Sequence, residues 1–406
     1  MKSVSKNLNS NISQQLFYLL VLVLFLRIDL VFENNTPTGG DMGAHIVAID
    51  TFIKDFMPNF QINGWSNDWF GGYPLYYFYF PLPAIITFIF NLVFPFGIAF
   101  KIMVVMSTIL VVYSIEKLMR KTSNQISIYG ATAGLFYVFT ESFTIYGGNL
   151  ASTLAGQFSF AYSLAFANLS IFYLIKSKNN FRFTISSIFL ALCLLSHLIP
   201  FIIYSPIYAF YWLSKKQNLN QRILSIFIFL ALASRWTVSL LMNLEYTTNM
   251  SYTPFSRLDD LIKKDILPII FILIGLLIAK HKNLIKNKTI NLFDLYIISS
   301  SVLLYFYVPE GALWNGRLVP FFNLGIIFLF FKAVEIFIDD INLYQQGVNV
   351  LTGLFLGGTI YCLYIFYEKW STNQSYLNLY IPIIFLIMIF AILNLKNVVV
   401  QLNLLI

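Results

Sequence analysis

The chain is short of nearly everything that keeps a protein in water. Of its 406 residues, 11% are charged, less than half of the roughly 25% found in an ordinary globular domain. That shortage excludes a soluble enzyme, a secreted scaffold and a DNA-binding domain. There are two cysteines, Cys193 and Cys362, both inside apolar runs. A thiol in such a place acts as a small packing residue, so neither a disulfide nor a metal site is read from them. No Walker loop, dinucleotide fingerprint, HExxH or paired-cysteine zinc spacing occurs in the sequence. A nucleotide-driven pump would therefore need a separate subunit to supply its ATPase. No internal repeat is visible, and inverted repeats mark many secondary transporters; their lack weighs against that class.

Apolar residues are abundant instead. They make up 58% of the chain, and the mean hydropathy is +0.73. Twelve apolar runs, at 16–32, 97–116, 126–143, 158–175, 183–197, 200–213, 223–241, 266–280, 292–308, 318–334, 347–367 and 379–395, approach the length of a bilayer span, which is roughly 17–25 residues. The expected fold is an all-α polytopic membrane protein of about twelve transmembrane helices, a single integral domain over 1–406 with no separate soluble C-terminal domain. The run Leu16 to Phe32 is longer than a signal-peptide core and is followed by Glu33-Asn34-Asn35, a poor cleavage site; it is read as an uncleaved first span. A further stretch, 81–95, carries Pro81, Pro83 and Pro95. Proline starts and stops helices, so a short interfacial or re-entrant helix is expected there.

Basic residues test this arrangement, because cytoplasmic loops collect Lys and Arg. With the N-terminus inside and 81–95 not crossing, seventeen of the 26 basic residues fall on the inner side, Lys332 among them. Letting 81–95 cross would turn those clusters outward. The N-in, C-in model is therefore preferred, and it accounts for the net charge of +8 without nucleic acid. Arg27, Asp29 and Arg235 fall within spans and are candidates for pairing inside the bundle. The outer loops are the unusual ones. The first, 33–96, is rich in Trp, Tyr, Phe, Gly and Pro, the wrong composition for disorder, and is expected to be an ordered cap.

Two constellations in that loop can carry chemistry. The first is Thr38-Gly39-Gly40-Asp41-Met42-Gly43-Ala44-His45, leading into Ile46, Ile49, Ile53 and Phe56 at helical spacing. This predicts an amphipathic interfacial helix with Asp41 in its first turn and His45 on the same face. A carboxylate there suits a general base or a metal ligand; the alternative is a capping Asp41 and a solvated His45. The second runs from Trp65 through Asp68, Gly71, Gly72, Tyr73 and Tyr76 to Pro83. Its aromatics suit either a membrane-interface belt or a sugar-stacking surface, and Asp68 with the glycines also suits an ordinary turn. Elsewhere, Glu141, Asn149, Gln157, His197, Glu245, Glu310 and Arg317 are polar residues near outer span ends. His197 lies at a break between two spans, as a functional group or a solvated helix end. Arg317 offers a guanidinium fork for phosphate or snorkels to the headgroups.

The Gly-Gly-Asp-Met-Gly-Ala-His segment, the Trp-Phe-Gly-Gly-Tyr-Pro-Leu-Tyr-Tyr-Phe-Tyr-Phe-Pro-Leu-Pro segment, Ser196-His197-Leu198 and Gly316-Arg317-Leu318-Val319-Pro320 together resemble GT-C membrane glycosyltransferases. The nearest group is that of the 6-pyruvoyl-tetrahydropterin synthase-related membrane proteins. The resemblance implies sugar transfer from a polyprenyl-phosphate carrier to an envelope glycan, lipid or protein acceptor, at the extracytoplasmic face of the cytoplasmic membrane. It implies Asp41 as the base, His45 and, more weakly, Asp68 as further catalytic groups, and Arg317 on the leaving phosphate. His197, Trp65, Tyr73, Tyr76 and Glu141 are then substrate-binding candidates. No cofactor is required; a divalent cation, Mg2+ or Mn2+, is compatible, with Asp41 and His45 as its ligands. The reading from another class is a transporter or flippase of a lipid-linked sugar, which would place polar groups along a path through the bundle rather than at one end.

Overall fold

The computed structural model describes residues 26–69, 71–122, 129–140, 146–175, 180–248, 292–308 and 314–339, with positions 261, 262, 266, 269, 270 and 273. Most of the expected runs 16–32 and 266–280, both of 347–367 and 379–395, and Cys362 lie outside these residues. A chain in lipid must satisfy its backbone N–H and C=O groups internally, so uninterrupted apolar runs become helices. A four-residue turn of helix, α1 (Ile28–Val31), is followed by the loop elements. These are α2 (Met42–Thr51), a π turn (Phe52–Phe56) ending in the 3-10 turn Met57–Asn59, the strands β1 (Gly64–Ser66) and β2 (Tyr73–Leu75), and α3 (Leu82–Asn91). The bundle helices are α4 (Phe96–Thr122), α5 (Tyr129–Val138), α6 (Leu150–Ser152) leading through a π turn (Thr153–Gln157) into α7 (Phe158–Ile175), α8 (Asn180–Ser196), α9 (Leu198–Ser214), α10 (Leu219–Met242), α11 (Leu292–Tyr307) and α12 (Val319–Asp339).

Helix α7 is the centre of the bundle, buried along nearly its whole length against α4, α8 and α9. By contrast, α10 packs on α8 and turns Ile223, Phe227, Leu230 and Leu241 outward, as a helix bathed in lipid would. Among the described residues, four helices are long and apolar enough to cross a membrane: Phe96–Met119, Leu150–Ile175, Leu219–Met242 and Asn315–Ala333. Helices α8, α9 and α11 are shorter, at 17, 17 and 16 residues, or about 25 Å each. Helix α3, N-capped by Pro81, is 10 residues long. At about 15 Å it is half a hydrocarbon core, the short element its prolines predict.

Several expectations need correction. The outer loop is not wholly helical: β1 and β2 form a small antiparallel ribbon with Trp65 opposite Pro74 and Ser66 opposite Tyr73. The amphipathic helix stops being regular at Thr51 and is not cleanly two-sided. Ile49 and Phe56 are buried, but Ala44, Val47 and Ala48 are half-buried on its other faces because several elements enclose it. Arg27 and Asp29 pair with each other at an exposed site, and Arg235 donates to the Phe60 carbonyl. Lys332, counted from the sequence among the basic residues of the inner side, is buried on α12 and bonded to Asp294 of α11 at 2.5 Å. Lys101, at the start of α4, donates to the carbonyls of Leu30 and Glu33 and to Asn35 Oδ1. It thereby closes the end of α1 and fixes where the outer loop begins.

Candidate active site

The turn 153–157 is the foundation of the site. Gly156 adopts φ +106°, a left-handed conformation that a side chain disfavours. A Cβ there would also lie 2.9 Å from the Asp41 Cβ. Gly40 is as confined, since a Cβ on it would sit 2.3 Å from the Ala155 carbonyl oxygen. These two glycines let the start of α2 lie directly on the turn. The Asp41 N–H then donates to the Ala155 carbonyl at 2.9 Å.

Asp41 is at the N-cap position of α2, one residue before the first turn, and its side chain makes no capping bond. Its Oδ2 instead accepts from Gln157 Nε2 at 3.0 Å. The capping alternative therefore does not describe what this exposed carboxylate does. His45, one turn further along, is half-buried between the rings of Phe158 and Tyr79, with centroids at 4.8 and 5.5 Å. Its ring lies against Gly156, where an added Cβ would come within 3.2 Å of His45 Cδ2.

Burial holds the His45 pKa at about 4, against the upward pull of the Asp41 charge and of the Gly156 carbonyl. The ring is therefore neutral at pH 7. Between its ordinary 6.5 and about 4, the unfolded chain binds a proton that the folded chain does not. Stability should fall as pH drops through that window, by about 3 kcal/mol in all, with no further change from this group below it. His45→Gln should flatten this part of the profile. Melting temperature followed from pH 7.5 to 4 in detergent checks it; equal acid slopes for both proteins would refute the assignment.

His197 is the N-cap of α9, its Nδ1 accepting from the Ile199 N–H at 3.2 Å. It is half-buried rather than freely solvated: Phe80 stacks on its ring at 4.6 Å and Phe160 meets it edge-on at 5.3 Å. Arg317 lies in the 3-10 turn Asn315–Leu318 that leads into α12. Its Nη1 approaches the Tyr146 carbonyl at 3.4 Å, and its charge acts on both Tyr79 and His197. Burial pushes the Tyr79 hydroxyl above its ordinary range, with Ser159 and Arg317 pulling it back, so it stands as a proton-bearing donor. Asp41, Gln157, His45 and Tyr79 are thus linked by direct contacts, Phe80 joins Tyr79 to His197, and the Arg317 charge acts on Tyr79 and His197.

The remaining candidates are not in that set. Asp68 accepts from Thr51 Oγ1 and, at 3.0 Å, from Ser66 Oγ, bonds that hold its carboxyl below the ordinary range. Thr51 is at the far end of α2, about 15 Å along the helix from Asp41. Asp68 is therefore a turn anchor, and with Asp50, Lys54 and Asp55 it lines a separate open cavity of about 530 Å³. Tyr76, at 3% exposure with its ring against Phe52, is a core residue and presents no face to a substrate. Tyr73 stacks on Trp69 at 5.7 Å, and Trp65 lies exposed across Gly72. Both sit on the ribbon. Glu141 lies outside the described residues. Tyr79, Phe80 and Gly156 were not singled out from the sequence, and Gln157 was seen only as a polar residue near a span end. The Gly-Gln pair opening an apolar run was the one local signal.

No protein-family model matches the chain, and no curated protein sequence does. Solved structures do. The fold is similar to that of ArnT from Cupriavidus metallidurans in the apo state, with TM-score 0.52 and 11% identity over 90% of this chain and 66% of that one. ArnT from the same organism bound to undecaprenyl phosphate gives TM-score 0.51 and 11% identity over 91% and 69%. The chain spans about two thirds of the length of these relatives. At such identity the likeness is one of fold alone. It does not single out the narrower group whose motifs the sequence resembles.

Proposed function

We propose that the chain is a glycosyltransferase that moves a sugar from a polyprenyl-phosphate carrier to an envelope acceptor, working at the extracytoplasmic face of the cytoplasmic membrane. The observation that supports this reading is the chain of contacts from Gln157 through Asp41, His45, Tyr79 and Phe80 to His197, with the Arg317 charge acting on Tyr79 and His197. ArnT, a GT-C glycosyltransferase, has been crystallised with undecaprenyl phosphate, which supports a lipid-linked donor. The acceptor remains a glycan, a lipid or a protein hydroxyl.

In this scheme Asp41 takes the proton of the acceptor hydroxyl as its oxygen attacks the anomeric carbon. The bond from that carbon to the phosphate oxygen breaks, and the polyprenyl phosphate leaves with the electron pair. Arg317 offsets the charge that gathers on the phosphate, and the Tyr79 hydroxyl is a second donor within the same group. Neutral His45 packs against Tyr79 and keeps the start of α2 on the turn. His197, flanked by Phe80 and Phe160, provides an aromatic-walled edge suited to a sugar face. The more distant Trp65 and Tyr73 are reserved for the outer part of an acceptor.

A divalent cation is compatible with this scheme without being required. Among the described residues no three His, Cys, Asp or Glu side chains lie together as a metal site. Asp41 supplies one carboxylate, with His45 one turn further along the same helix. Mg2+ is commonly held by one or two carboxylates plus substrate phosphates, so Asp41 with the donor phosphate would hold Mg2+ or Mn2+.

The transporter or flippase reading shares the donor but breaks no bond. A single assay separates the two. Purified protein in detergent is given undecaprenyl-phosphate glucose, mannose or galactose with a bacterial membrane extract as acceptor, and free undecaprenyl phosphate is measured with and without EDTA. Release that depends on the protein is expected. Intact donor throughout, combined with protein-dependent movement of the same lipid across vesicles, would refute the transferase.

A further inference from the structure

We propose that Gln157 is the positioning residue for the Asp41 carboxylate, holding one oxygen so that the other is presented to the acceptor hydroxyl. This deepens the transferase reading and rests on Asp41 being its base. A carboxylate can only accept hydrogen bonds, so the amide nitrogen must be the atom that faces it. Gln157 Nε2 meets Oδ2 at 3.0 Å, and no hydrogen bond from the described residues reaches Oδ1. The glutamine is itself fixed, 8% exposed and seated at the end of the π turn that Gly156 allows. Its position therefore dictates that of the carboxylate.

Its role is separable from that of the turn. The start of α2 is held independently by the Asp41 N–H on the Ala155 carbonyl and by the His45 ring against Phe158. Neither involves the Gln157 side chain. Among the described residues, Gln157 makes the one hydrogen bond to the carboxylate itself. A donor bonded to one carboxylate oxygen restricts the rotation of the group. The glutamine thus serves the aim of the base.

Two variants test this. Gln157→Met keeps the length and burial of the side chain and removes the donor; kcat should fall about tenfold to a hundredfold with KM for the undecaprenyl-phosphate sugar unchanged. Gln157→Glu sets a second carboxylate against the first. Two acids sharing a site cannot both ionise freely, so the acid limb of the rate profile should move up by about one unit or more. The other groups around Asp41 are His45 on α2, Tyr79 before α3 and, further off, Arg317. These are common to wild type and variants, so a difference in profile belongs to position 157. Melting temperatures close to wild type should accompany both changes. An unmoved acid limb in Gln157→Glu, or a wild-type kcat in Gln157→Met, would overturn the positioning role. So would loss of activity that merely tracks loss of fold. If Asp41→Asn is inactive while both Gln157 variants behave as wild type, the positioning role alone falls. Turnover surviving in Asp41→Asn would bring down the base assignment, and this inference with it.

Discussion

Asp41→Asn is expected to lose transfer from undecaprenyl-phosphate sugars by about 10²–10⁴-fold, the usual contribution of a positioned general base. The substitution is close to isosteric. The carbonyl oxygen of the new amide can still accept from Gln157, and the backbone bond to Ala155 does not involve the side chain. Melting temperature and yield should therefore match wild type, and the loss should appear in kcat with donor affinity preserved. The measurement is release of undecaprenyl phosphate by wild type and variant at matched, folded concentrations. Turnover within a few-fold of wild type would remove Asp41 from the chemistry.

The second large effect is on stability. Lys332 and Asp294 are 1% and 0% exposed and joined at 2.5 Å between α12 and α11. Removing one partner leaves the other charged in a place without water, which typically costs about 3–5 kcal/mol. Lys332→Met should therefore unfold markedly earlier in a denaturant titration in detergent. The double variant Asp294→Leu/Lys332→Met should recover most of the loss, because two apolar side chains of suitable size replace the pair. A single variant as stable as wild type would show that the pair contributes nothing net. A double variant no better than the single would show that packing, rather than the stranded charge, was responsible.

What could be read from the sequence, and what could not, divides along a physical line. Helices α7, α8, α9 and α12 follow their apolar runs within a few residues, because a hydrocarbon solvent demands local backbone pairing. The break at His197 and the shortness of α3 follow from Pro200, Pro81 and Pro83. Asp41 and His45 stood out because a helix brings residues four apart together. Gln157 could not be matched to Asp41 in the same way: they are 116 positions apart, and nothing in either neighbourhood encodes the contact. The Lys332 partner is 38 positions away, so charge counting placed that lysine on the inner side without revealing its buried pair. Tyr76 misled for another reason. Within a run of aromatics, composition does not tell which ring turns inward, and the left-handed backbone at Tyr76, at φ +60°, turns the chain just after β2.

Helix α10 and the outer loop are joined by three hydrogen bonds. Arg235 donates to the Phe60 carbonyl, the Trp236 indole to the Tyr79 carbonyl, and Asn63 to Ser239 Oγ. These α10 positions fall within little more than one helical turn, like stitches along one seam. The segment that carries Tyr79 and Phe80 is therefore held to α10 and moves with it unless these bonds break. A displacement of α10 is thereby passed on, through these bonds, to the Phe80 ring that stacks on His197.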